Sequence, residues 1–158
     1  MHTATLNDSE IAERVAVLKR FRSLLEQQRL KFREYLKVLE QQEKSISDEN
    51  TDAVLQHTEL EESIIAEIFT IQKVIDPLEY MYTNICKNTD HSDIPHLKTD
   101  LDDLQKRVLA QNKKNRELLE THITGLRQQI ASLKRPYAHK ESIYAGTART
   151  AALIDLSL

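Results

Sequence analysis

Two histidines and an aspartate lie close together at His91, Asp93 and His96, a spacing at which imidazole and carboxylate groups could share a metal ion. A polar connection followed by a helix start explains the same residues, because short polar side chains end one helix and begin the next. We therefore predict no metal site. His57 and His122 fall near predicted apolar helix faces, where histidine more often marks the edge of a core than a ligand.

Catalytic sites of several kinds need residues that are scarce in this sequence, which contains 2 Gly and a single Cys, Cys86. Gly-rich phosphate loops, nucleophile elbows and Cys-based zinc sites are absent from it. Cys86 is predicted to be a small, half-buried residue. The cluster Glu59, Glu61 and Glu62 is interpreted as a solvated helix face, or alternatively as a docking surface for a basic partner. We expect neither enzyme activity nor a cofactor.

Overall charge and hydropathy limit the kinds of partner that the protein is expected to bind and the compartment in which it is expected to work. The net charge is −3, from 22 basic and 25 acidic residues, and such a balance is too weak to attract the phosphates of nucleic acid. The N-terminus lacks the pattern of a signal peptide, and no stretch approaches the roughly 20 apolar residues of a membrane span. The sequence therefore predicts a cytoplasmic protein with no membrane insertion.

The elements that would position any site are helices, because Gly and Pro are rare and aromatic residues make up only 5% of the chain. The first helix is predicted from about Ser9 to Lys44, with Asn7, Asp8 or Ser9 as its cap. Residues 45–52 are polar and predict a tight reversal. The heptad series that defines the first helix is Ile11, Leu18, Leu25, Phe32, Leu39 and Ile46.

The second helix is predicted to resume apolar spacing at Val54 and to be stopped or kinked at Pro77, which lacks a backbone N–H. A short helix should then follow to about Lys87. Its predicted buried side consists of Leu78, Met81, Tyr82 and Ile85.

The third helix is predicted from Ser92 or Asp93 to about Lys134, with Pro95 in its first turn. Gln111, Asn112 and Asn115 interrupt its apolar stripe and predict a stutter or a less tightly packed interval. Gly125 would serve either close packing in the bundle or the approach of a bound partner helix. The stripe itself consists of Leu97, Leu101, Leu104 and Val108 before the interval, and Leu119, Ile123, Leu126, Ile130 and Leu133 after it.

These elements predict an all-α fold, an elongated antiparallel three-helix bundle or coiled coil with a kinked middle helix, over residues 1–134. The region from Asp8 to Lys44 carries +2 and that from Asp48 to Glu79 carries −8, which favours pairing of the first two helices. We expect a monomer or weak dimer, with a longer coiled-coil dimer as the alternative. The residues predicted to be buried are Leu18, Leu25, Phe32, Leu101, Leu104 and Val108.

Residues 135–158 form a predicted C-terminal tail that is too apolar for an ordinary solvated segment. A partner or the bundle itself should cover it. Its apolar and aromatic residues are Tyr137, Ile143, Tyr144, Leu153, Ile154, Leu156 and Leu158.

Several segments together resemble the FlgN family of flagellar export chaperones over nearly the whole chain. The most specific is Asn-x-x-Asn-x-x-Leu-Leu, from Asn112 to Leu119, followed by Tyr-x-Gly at Tyr144 to Gly146. The other segments are Gln41 to Lys44, Asp52 to Leu55, Leu126-Arg127 and Ile143. The sequence departs from the family pattern in a tail that continues to an apolar end at Leu158.

The resemblance implies a cytoplasmic chaperone that binds the terminal helices of hook-filament junction proteins and delivers them to the cytoplasmic domain of the type III export gate. It also implies that cargo binds the C-terminal part. A structural coiled-coil protein and another helical adaptor of the export apparatus remain alternatives. The residues that we predict to bind partners are Leu118, Leu119, Ile123, Leu126, Ile130, Leu133, Tyr137, Ile143 and Tyr144.

Overall fold

A computed structural model of the chain describes residues 7–86 and 93–134. Three long helices account for nearly all of these residues: α1 spans Asp8–Ser47, α2 spans Thr51–Cys86 and α3 spans Ile94–Lys134. The described residues contain no strand, so the all-α prediction is confirmed. Internal contacts divide the chain into two units, Met1–Leu118 and Leu119–Leu158.

In the first unit, the side-chain pairs between helices give the direction in which each helix runs. Along α1 from its N-terminus, the residue numbers of the partners in α2 decrease, whereas those of the partners in α3 increase. Helix α2 is therefore antiparallel to α1, and α3 is parallel to α1, as expected for an up-down-up bundle. In order along α1, the pairs are Arg22–Asp93, Arg29–Asp100, Lys31–Glu67 and Ser45–His57.

The core of the first unit consists of two clusters of buried side chains that share half-buried Phe32 at their boundary. The predicted core residues are confirmed in part: Leu18 and Phe32 are only half-buried, although both pack against the clusters, and the rest are buried. The first cluster contains Phe21, Leu24, Leu25, Ile75, Tyr82, Ile94, Leu97 and Leu101. The second contains Tyr35, Leu36, Val38, Leu39, Ile64, Leu104 and Val108.

Helix α2 continues through Pro77 to Cys86, so the prediction of a separate short helix after Pro77 is wrong. An internal proline costs a helix about 3 kcal/mol, since it removes one hydrogen bond and crowds the preceding turn. Packing beyond the proline offsets this cost. Tyr82 is buried, its ring centroid lies 5.2 Å from that of Phe21, and Leu78 packs against the same cluster.

The turn between α1 and α2 is a Schellman motif, in which two backbone N–H groups cap the last carbonyls of α1. The N–H of Asn50 donates to the carbonyl of Ser45 at 2.9 Å, and that of Glu49 donates to the carbonyl of Ile46 at 3.1 Å. Glu49 has φ 55, the left-handed conformation that glycine adopts most readily. The Asn50 side chain then begins α2 by accepting from the Ala53 N–H at 3.1 Å.

Replacing Glu49 with Gly should stabilise the protein by about 1 kcal/mol, because the left-handed backbone strains a residue that carries a Cβ. Thermal and chemical denaturation followed by circular dichroism measure the change. The matched control is Glu40→Gly at an exposed position within α1, where Gly should instead destabilise by about 1 kcal/mol. A loss of stability in both variants would contradict this account of the turn.

Candidate functional site

The polar interval of α3 forms a buried hydrogen-bonded layer against α1. Asn115 is only 3% exposed, and its side-chain nitrogen donates to the Leu39 carbonyl at 2.8 Å and to Gln42 Oε1 at 3.0 Å. Gln111 Nε2 donates to Asn115 Oδ1 at 3.0 Å. The prediction of a less tightly packed interval is therefore wrong at Asn115, because satisfied hydrogen bonds allow an amide to occupy a core position.

Tyr35 extends this layer to α2. Its hydroxyl donates to Glu61 Oε1 at 2.7 Å and accepts from Asn112 Nδ2 at 3.3 Å. Burial raises the pKa of Tyr35, and the adjacent Glu61 carboxylate raises it further, so the hydroxyl stays neutral and remains a donor at physiological pH. Glu61 was interpreted from the sequence as part of a solvated face, but it is half-buried and accepts this hydrogen bond.

Tyr35 is a residue of this layer that was not predicted from the sequence. Its position, three residues after Phe32 and four before Leu39, places it on the apolar face of α1, and this spacing is the signal that could have identified it.

At the edge of the layer, a partly exposed ion pair joins the C-terminal part of α1 to α3. Lys114 Nζ lies 2.7 Å from Glu43 Oε1. The pKa of Glu43 is lowered mainly by its hydrogen bond with Lys114, and then by that with Gln111. The pair is open to solvent, so it helps to set the alignment of α3 on α1 more than it adds stability.

Replacing Asn115 with Ala should reduce the free energy of unfolding by about 2 kcal/mol, because it leaves the side-chain oxygen of buried Gln42 without its donor and removes one of the two acceptors of Gln111. Urea denaturation measures this loss. Asn112→Ala is the control: Asn112 is half-buried and makes one long hydrogen bond, so its loss should cost less than about 1 kcal/mol. Equal losses of unfolding free energy in the two variants would contradict the stabilising role of the hydrogen bonds around Asn115.

The described part of the second unit is the last segment of α3, and its apolar stripe is exposed. Leu118, which was predicted with the stripe, is half-buried and belongs to the first unit. A single helix cannot bury its own apolar face, so the stripe stays exposed within this segment. The exposed fractions are 40% for Leu119, 41% for Ile123, 53% for Leu126, 53% for Ile130 and 70% for Leu133.

Gly125 lies in this segment, and a Cβ added to it would have no neighbouring heavy atom within 4 Å. The two explanations that the sequence leaves open, close packing in the bundle and room for a partner helix, both stay predictions. Tyr137, Ile143 and Tyr144, the remaining residues predicted to bind partners, lie outside the described residues.

Within the described ranges, no group of His, Cys, Asp and Glu side chains could hold a metal ion. Asp93 pairs instead with Arg22, whose guanidinium lowers the pKa of the Asp93 carboxyl through a hydrogen bond and its charge. His96 lies on the surface at 4.0 Å from Asp100. His57 is half-buried, with its Nδ1 3.3 Å from Ser45 Oγ, and His91 lies outside the described residues.

An uncharacterised protein of Treponema pallidum (strain Nichols) is 37% identical over 158 residues, which cover 100% of both chains. The chain therefore belongs to the same family as that protein. No family model matches the sequence, and no solved structure matches it. In the part of the chain that the structure describes, no helix is long and apolar enough to cross a membrane.

Proposed function

We propose that this protein is a helical chaperone of flagellar type III export, which binds hook-filament junction proteins in the cytoplasm and delivers them to the export gate. Its role is binding and not catalysis. The observation that carries the proposal is the exposed stripe of α3 from Leu119 to Leu133, where apolar side chains recur at helical spacing. The flagellar assignment itself rests on the resemblance of the sequence to the FlgN family.

An amphipathic helix of the cargo fits this stripe because both surfaces would bury apolar side chains that water otherwise contacts. Binding would follow the helix-in-groove mode, with aliphatic anchors supplying most of the affinity. The first unit supports the role by fixing α3 through the layer around Asn115. The chaperone would thereby prevent the cargo helix from assembling before export.

A structural coiled-coil protein is the second candidate, favoured by the same stripe if a copy of this chain covers it. The two functions differ in solution. A structural coiled coil is a stable dimer without cargo, whereas the chaperone is a monomer or weak dimer that forms a complex with cargo. Light scattering of the purified chain, alone and with a junction protein, distinguishes them.

Replacing Leu126 and Ile130 together with Asp should weaken binding of a purified junction protein by about a thousandfold, since each substitution removes an apolar anchor and places a charge in the interface. Isothermal titration calorimetry measures the affinity. Helicity and melting temperature should change little, because both side chains are 53% exposed in the free protein.

Leu55→Asp provides the control for this double variant. Leu55 is similarly exposed, at 59%, but lies in α2. Its replacement should leave cargo affinity unchanged. Unchanged affinity in the Leu126 and Ile130 variant would place the cargo elsewhere, and failure of every junction protein to bind the unaltered chain would refute the proposed function.

The resemblance to the FlgN family implies that Tyr144 contacts the export gate, and a tail tyrosine suits such a contact because it offers a large area and a hydroxyl at a modest entropic cost. Tyr144→Ala should weaken binding to the purified cytoplasmic domain of the gate and reduce filament assembly. Cargo affinity and melting temperature should stay constant. Tyr137→Ala is the matched variant, and a larger effect there, or a large fall in melting temperature in Tyr144→Ala, would contradict the assignment.

A further inference from the structure

Helices α2 and α3 form another partly apolar surface, which lies within the first unit. A groove of about 370 Å³ runs between them, and Phe32 of α1 is part of its floor. On its two edges, Phe69 of α2 is 63% exposed and Leu109 of α3 is 70% exposed. Large apolar side chains that rim a groove in this way are typical of a surface that binds another molecule. We call residues 62–76 of α2 and 102–116 of α3 the α2–α3 face.

One ion pair defines how the two edges of this face are aligned. Glu79 Oε1 of α2 lies 2.7 Å from Lys98 Nζ of α3, and the two helices are antiparallel. Glu62 lies 17 residues before Glu79, and Arg116 lies 18 residues after Lys98. At about 1.5 Å per residue, both are about 26 Å from the ion pair. Glu62 and Arg116 are therefore level with each other on opposite edges.

The two edges carry opposite charges. Helix α2 contains seven acidic residues and one basic residue, whereas α3 up to Leu118 contains six basic and four acidic residues. Glu62 and Arg116 are both exposed, and neither forms an ion pair within the described ranges. A surface that covers this face would complement it with a basic group over α2 and an acidic group over α3.

A second copy of this chain has that arrangement of charges. When two such faces meet about a two-fold axis parallel to the helices, α2 of each copy lies over α3 of the other. Glu62 then faces Arg116 of the other copy, and the pair forms twice because the contact is isologous. A two-fold axis perpendicular to the helices would instead place α2 over α2, with acidic residues opposed. The charges therefore select the first arrangement.

The opposite end of the face is nearly balanced in charge in this arrangement. Asp76 of one copy would lie over Asp102 of the other, but Lys106 Nζ lies 2.7 Å from the Asp102 carboxylate within its own chain. The lysine offsets the approach of the two carboxylates. Most of the charge attraction consequently comes from Glu62 and Arg116.

The area of the face indicates a weak dimer. Two helices side by side are about 20 Å wide, and the face is about 25 Å long, so a dimer would bury on the order of 500 Å² on each copy. Specific interfaces bury at least about 1,200 Å² in total. This contact lies slightly below that range, which fits a weak association.

We propose that the α2–α3 face forms a weak homodimer in which α2 of each copy packs on α3 of the other. Phe69 and Leu109 lie at its centre, and Glu62 faces Arg116. The inference is independent of the proposed function, because this face belongs to the first unit and the proposed cargo stripe to the second.

Sedimentation equilibrium of the full-length chain at low salt tests the charge pairs. Glu62→Arg and Arg116→Glu each oppose like charges twice in the dimer, so each should weaken dimerisation about tenfold. Added salt should weaken the unaltered dimer and strengthen that of either variant, because it screens attraction in one and repulsion in the other. Glu40→Arg at an exposed position of α1 is the matched control and should leave dimerisation unchanged.

A chain that carries both Glu62→Arg and Arg116→Glu provides the decisive comparison. It restores opposite charges at both pairs, so it should dimerise within about threefold of the unaltered chain. An equimolar mixture of the two single variants should form a heterodimer about tenfold more tightly than either variant associates alone, for the same reason. A double variant as weak as the single ones, or a mixture that associates no better than its components, overturns the proposal.

Two further outcomes would also overturn it. A chain that stays monomeric at every concentration would leave the face to a different protein. A dimer that the Leu126 and Ile130 double Asp variant abolishes, and that Glu62→Arg leaves intact, would belong to the stripe of α3. Cargo affinity of Glu62→Arg should equal that of the unaltered chain, so a failure of cargo to bind refutes the proposed function alone.

Discussion

Burial of the apolar face of α1 is the interaction on which the bundle depends, because α1 contributes side chains to both core clusters and pairs with both other helices. Phe21 and Leu39 on this face are fully buried. Each aliphatic or aromatic side chain buried in this way contributes about 1.5–3 kcal/mol. With few aromatic residues in the chain, the bundle must obtain its stability from many such aliphatic contacts along a long seam, and this need accounts for the length of the helices.

Apolar seams alone do not define how far one helix is shifted along another, since Leu and Ile can pack in several registers. The layer around Asn115 and Tyr35 supplies this definition. Its hydrogen bonds join α3 to α1 and α1 to α2, and a shift of either helix would leave buried amide or hydroxyl groups unsatisfied. The layer therefore favours one alignment, at some cost in apolar burial.

The core side chains of the first unit are buried, whereas the apolar stripe from Leu119 to Leu133 in the second unit is exposed. Exposed aliphatic side chains at regular spacing oppose solubility and are retained where they bind something. The binding role that we propose for the protein is based on this exposed stripe.

The sequence by itself determined the three helices and the polar break before Thr51, because heptad periodicity and turn residues act locally. It also identified the stripe from Leu119 to Leu133. Only the tertiary structure decided that α2 continues through Pro77, that Asn115 and Glu61 join a buried layer, and that the stripe is exposed. Each of these depends on what faces the residue across the bundle: packing of Tyr82 outweighs the local cost of the proline, and a partner across the seam makes a buried amide favourable. The local sequence pattern specifies neither the residues that pack against Tyr82 nor those that hydrogen-bond to Asn115.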